Sequence, residues 1–81
     1  PTEAVAAARS VAGRYPDAAW SQNLLGSVLL AAGEFADARV ALLKAVTLDP
    51  DDSAALSNLA RVEQLLNNTE AAIDAWRRIL T

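Results

Sequence analysis

Pro16 and Pro50 are the two interior prolines of the chain, and no other proline stands between them. Each is followed by acid: Asp17 after the first, Asp51 and Asp52 after the second. A proline inside a helix removes a backbone hydrogen bond and clashes with the preceding turn. Pro followed by Asp is turn and helix-start chemistry. Two equivalent punctuation marks therefore divide the chain, and the interval between them prompts a search for an internal repeat.

A shift by the Pro16-to-Pro50 interval brings Ala4 onto Ala38 and Ala72, and Ala7 onto Ala41 and Ala75. It brings Leu25 onto Leu59, Gly26 onto Ala60 and Val28 onto Val62. Gly33 falls on Asn67, and these two residue types best tolerate the left-handed conformation that ends a helix. The matches fall on small and punctuating positions, where sterics are most demanding.

The spacing predicts five helices: Thr2–Arg14, Ala19–Ala32, Ala36–Leu48, Ser53–Leu66 and Glu70–Leu80. Phe35, Ala38, Leu42 and Ala45 recur at helical intervals, and Ala72, Trp76 and Ile79 repeat the rhythm. Leu25, Val28 and Leu29 form one stripe; Leu56, Leu59 and Leu66 form another. A two-residue strand period is nowhere sustained. Ser53 and Thr69 are the expected N-caps. Short links at Gly33–Glu34 and Asn67–Asn68 force antiparallel neighbours. Ala supplies 19 of the 81 residues, which favours helices and lets their axes approach closely.

Composition excludes several functions. With no Cys and no His, a zinc finger, a thiol nucleophile, a haem ligand or an imidazole base cannot be built. Net charge −3 argues against nucleic-acid binding, which needs clustered Lys and Arg. The longest uncharged stretch, Ala18 to Gly33, falls short of the ~20 apolar residues of a membrane span. No membrane insertion is therefore expected. Zero Cys suits oxidising and reducing compartments alike, so bacterial cytoplasm and periplasm fit equally well. The absence of Met suggests a piece of something longer.

Leu25, Gly26, Gly33, Phe35, Ala38, Ala45 and the run Leu48-Asp49-Pro50 together resemble the tetratricopeptide repeat (TPR) family. The resemblance covers the whole chain. It implies an all-α solenoid of antiparallel helix hairpins. Residues 1–18 match the second helix of a preceding repeat, 19–52 a complete repeat, and 53–81 a further, truncated one. Gly26 with Ala38, and Ala60 with Ala72, match the small residues that pack the two helices of a hairpin. The family's large aromatic on the first helix is replaced by Gln22 and Leu56, and its later aromatic by Leu29 and Glu63. Ile79 stands where Ala is usual.

The resemblance also implies a concave groove that binds peptide segments and is lined by the first helix of each hairpin. Matching positions are Trp20, Asn23, Leu24, Ser27, Leu30 and Ala31, then Ala54, Ser57, Asn58, Arg61, Gln64 and Leu65. An Asn amide can both donate to and accept from a peptide backbone, and Arg61 can pair with a carboxylate. The bland readings stand beside these. Asn23 and Asn58 also fit a solvated helix face, Trp20 a packing residue near the first helix, and Arg61 a surface charge.

Trp76, Ile79 and Leu80 on the fifth helix have no following helix in this chain to cover them. An exposed apolar edge is expected there, inviting homo-oligomers. Asp49, Asp51 and Asp52 lack the spacing of a calcium loop and read as turn and helix-start charge. Glu63 and Asp74 make only a weak case for a carboxylate pair of the glycosidase kind. The expectation is a non-enzymatic protein-interaction scaffold without cofactor, of bacterial style. A spacer or self-assembly module is the alternative, or the regulatory arm of an enzyme whose catalytic domain lies elsewhere.

Overall fold

A computed structural model describes residues 2–81; Pro1 lies outside them. Five helices follow in order: α1 (Thr2–Arg14), α2 (Ala19–Ala31), α3 (Phe35–Leu48), α4 (Ser53–Leu65) and α5 (Thr69–Leu80). The described residues contain no strand. Each helix packs on the next in antiparallel fashion, and α2 also meets α4. Among the described residues, the backbones of α1 and α3, and of α3 and α5, stay farther apart. Thus α2 and α4 close together on one side while α1, α3 and α5 splay on the other. The extents of 33 × 23 × 14 Å describe a slab two helices thick.

The turns explain the antiparallel hairpins. At the end of α2, Gly33 N–H donates to Leu30 O (3.1 Å) and Glu34 N–H to Leu29 O (2.9 Å). At the end of α4, Asn67 N–H donates to Gln64 O (3.1 Å) and Asn68 N–H to Glu63 O (2.7 Å). Both are Schellman closures, which need a left-handed residue at the pivot. Gly33 has φ 80° and Asn67 has φ 63°, as their alignment implies. A Cβ built on Gly33 would meet nothing within 4 Å, so only backbone conformation opposes a side chain there. Gly33→Ala is therefore expected to lower stability by about 1 kcal/mol, and Asn67→Gly to leave it unchanged or raise it slightly. Thermal unfolding checks both; an undiminished melting temperature for Gly33→Ala would rule out the argument.

The N-caps differ from expectation. Asp52, not Ser53, caps α4: its Oδ1 accepts from Ala54 N–H (3.0 Å) and Ala55 N–H (3.3 Å). An ionised carboxylate at a helix start also gains from the helix dipole, which a hydroxyl does not. Asn68, not Thr69, occupies the cap position of α5. Its side chain makes no capping bond there; its Nδ2 donates to Glu63 Oε1 (2.9 Å). Thr69 is already helical. The predicted helix ends are otherwise met within one residue.

One core runs through the slab. Leu29, Ala38, Leu42, Ala45, Leu56 and Leu59 are buried together, with Phe35, Leu25 and Leu66 packed against them. Gly26 is buried with its α-carbon facing α3. Its nearest neighbour across the hairpin is Leu42: a Cβ there would lie 2.5 Å from Leu42 Cγ. Gly26 thus makes room for a leucine of α3, a tighter demand than small-on-small contact with Ala38.

Candidate functional site

The α2/α4 side carries the predicted groove residues. Asn23 and Asn58, one on each helix, are both half-buried and face each other. Asn58 Nδ2 donates to Asn23 Oδ1 at 3.0 Å. The sequence presents them as separate groups, yet they form one amide pair across the two helices. The Asn23 amide hydrogens and the Asn58 carbonyl oxygen remain for a further partner. Their near-equivalence in the repeat, offset by a single position, is the one signal of the pair that the sequence holds.

Other predicted residues divide. Arg61, Gln64 and Leu65 are exposed on α4. Arg61 makes no ion pair among the described residues. Ser27 is half-buried, and its hydroxyl donates to Leu24 O (3.0 Å). Leu30 packs against the core, so little of it is offered outward. Trp20 is 56% exposed. Its ring is tilted 44° against Tyr15, with centroids 5.5 Å apart. It is a lid on the α1–α2 turn on one side and an open aromatic face on the other.

The turn beneath it is tied by Gln22, which reads only as a departure from the family pattern, and by Ser21. Gln22 is 3% exposed, and its Nε2 donates to Pro16 O (3.0 Å). The Ser21 hydroxyl, fully buried, donates to Tyr15 O. An amide in place of an aromatic ring thus secures the turn through its carbonyl.

Glu63 is the largest surprise. It is 2% exposed, at the place where the family carries an aromatic and where its repeat counterpart Leu29 is also buried. Its Oε1 accepts from Arg39 Nε (2.7 Å) and from Asn68 Nδ2 (2.9 Å). A buried carboxylate is tolerable only when paired and hydrogen-bonded. Here α3, α4 and the α4–α5 turn meet on one oxygen. Asp74 does not join it; it is exposed and lies 4.0 Å from Arg77. Glu63 is thus committed to Arg39 and Asn68, and Asp74 takes no part in those bonds.

At the far end, Trp76 is 44% exposed and Leu80 is 85% exposed. Ile79 departs from the expected edge: it is half-buried against the core. Ile73, one turn before Trp76, is exposed in its place. No described helix is long and apolar enough to cross a membrane.

Antiparallel hairpins, stacked so that one helix of each hairpin lines a shared inner face, define an α-solenoid, whose stability and surfaces build up unit by unit. The family model of the tetratricopeptide repeat matches residues 1–53 and again residues 23–81. The chain belongs to the tetratricopeptide repeat family. Such repeats generally mediate protein–protein interaction and are typically non-catalytic. No curated protein matches the chain.

Proposed function

We propose that the α2/α4 face holds an extended peptide segment of a protein partner, and that the chain is a scaffold rather than an enzyme. The Asn58–Asn23 pair carries this reading. Each amide fixes the other, so the remaining donor and acceptor are preorganised for a peptide backbone at little entropic loss. Arg61, exposed and without an ion pair among the described residues, suits a carboxylate on that peptide. Trp20 and Leu65 offer exposed apolar surface on the same helices. This reading keeps residues 1–18 as the end of one repeat, 19–52 as a whole repeat and 53–81 as a truncated one.

Selection from a random-peptide display library tests it. Acidic peptides should be enriched on the chain, and Arg61→Glu should abolish that enrichment with helicity unchanged. Asn23→Ala with Asn58→Ala should weaken the selected peptides by roughly 10-fold or more, as two hydrogen bonds are lost. Equal enrichment on all variants would discard the groove. A second reading, self-association through the last helix, is favoured by the exposure of Trp76 and Leu80.

A further inference from the structure

One face recurs on α1, α3 and α5. Val5, Ala8 and Ala12, then Arg39, Leu42 and Val46, then Ile73, Trp76 and Leu80 stand at successive intervals of the Pro16-to-Pro50 spacing. Two of these faces are covered by the helix that follows. Against α2, Ala8 and Ala12 are buried and Val5 packs on the core. Against α4, Leu42 and Val46 are buried in one cluster with Leu56 and Leu59, and Arg39 meets Glu63. The third face is open. Ile73, Trp76 and Leu80 are all exposed, and the backbone of α5 packs on α4 alone among the described residues. By position, this ridge is the seat that α2 fills on α1 and that α4 fills on α3.

The two filled seats also show what stands opposite the first position of the face. Leu29 and Glu63 are equivalent in the repeat, and both are buried. Leu29 belongs to the cluster on which Val5 packs, so an aliphatic answers an aliphatic. Glu63 accepts from Arg39 at 2.7 Å, so an anion answers a cation. A glutamate opposite Ile73 would keep its desolvation cost without a cation to offset it. An aliphatic side chain there would gain from burial beside Ile73 and Trp76. A second copy of this chain has no first helix to offer. Its α2 is enclosed by α1, α3 and α4, and its α4 by α2, α3 and α5.

We propose that α5 seats the first helix of a further repeat unit. That helix carries an aliphatic side chain opposite Ile73, as α2 does opposite Val5, and not a glutamate as α4 does opposite Arg39. The seat lies at the end of the stack, apart from the α2/α4 groove, and does not depend on peptide binding there.

Extending the 81-residue chain tests this. A duplicate of residues 48–67, joined directly to Thr81, keeps the repeat interval and brings an α4-type helix to α5. The duplicate is made in two forms, one with its glutamate and one with Glu63→Leu in the duplicate alone. Trp20→Phe throughout leaves Trp76 as the sole indole. Acrylamide quenching then reads whether Trp76 is covered. The leucine form should protect it. Its docked-to-free ratio, followed in rising urea, should exceed that of the glutamate form by roughly 10-fold or more. Ile73→Arg, at an exposed position, should reverse that order by restoring the ion pair. If the leucine form leaves Trp76 as quenchable as in the unextended chain, the seat is wrong. If it protects Trp76 but Ile73→Arg leaves the order unchanged, the helix lies in another register and the demand opposite Ile73 falls. Protection of Trp76 in the unextended chain at rising concentration would make a second copy the occupant and overturn the proposal.

Discussion

Leu42→Ala is expected to lower the unfolding free energy by about 3–4 kcal/mol, read from the urea midpoint. Leu42 is fully buried and belongs to the cluster shared by α2, α3 and α4. A domain of this size has a total stability of roughly 4–12 kcal/mol, so the variant should sit near its unfolding threshold. The contact with Gly26 gives a sharper test. Gly26→Ala improves helix propensity by about 1 kcal/mol but drives a methyl into Leu42, which costs about 1–3 kcal/mol. That variant alone should be modestly destabilised. In the double variant the new methyl occupies part of the space Leu42 vacated. Its loss should therefore be smaller than the sum of the two single losses. Strict additivity would mean that Gly26 and Leu42 do not oppose each other as the 2.5 Å approach requires.

The second large effect is expected at Arg39. Removing one partner of a buried ion pair strands the other, at about 3–5 kcal/mol. The Arg39 side chain is 40% exposed, and Asn68 still donates to Glu63, so Arg39→Ala should cost nearer about 2–3 kcal/mol. Replacing both residues by Met should recover most of that loss, because the desolvated charge goes with its partner. Chemical denaturation of the two variants decides it. A loss below about 1 kcal/mol for Arg39→Ala would mean that water reaches Glu63 and the pair contributes little.

The repeat period is legible because punctuation obeys local rules. Pro16, Pro50, Gly33 and Asn67 act through their own backbone preferences, which survive without knowledge of neighbours. Helix ends follow, and so does the apolar stripe of Phe35, Ala38, Leu42 and Ala45. Glu63 is only half legible. Its alignment with Leu29 marks a packed position, but a glutamate there gives no hint of its cation, and Arg39 lies 24 residues away on another helix. Only the tertiary fold brings them together. Gln22 misleads in the same manner: a polar residue at an aromatic's place is a departure until Pro16 O is found beside it. The caps at Asp52 and Asn68 show a further limit. Adjacent residues with similar capping chemistry compete, and the loop path chooses between them. On the α2/α4 face, position can be assigned from the repeat, but the bond between Asn23 and Asn58 depends on how closely the two helices approach.

The Arg39–Glu63 tie also bears on how such an array can change its length. Tandem repeats grow and shrink by copying or losing whole units. A shift by one repeat, the interval from Pro16 to Pro50, puts Ile73 where Arg39 stands. If a further unit with a Glu63 counterpart followed residues 53–81 at the same period, that glutamate would meet Ile73 in place of the arginine and lie buried without a cation. That junction would be poorly tolerated, while a junction restoring an arginine would not. One ion pair thus gives this interface an address, and the units cannot be shuffled as interchangeable modules.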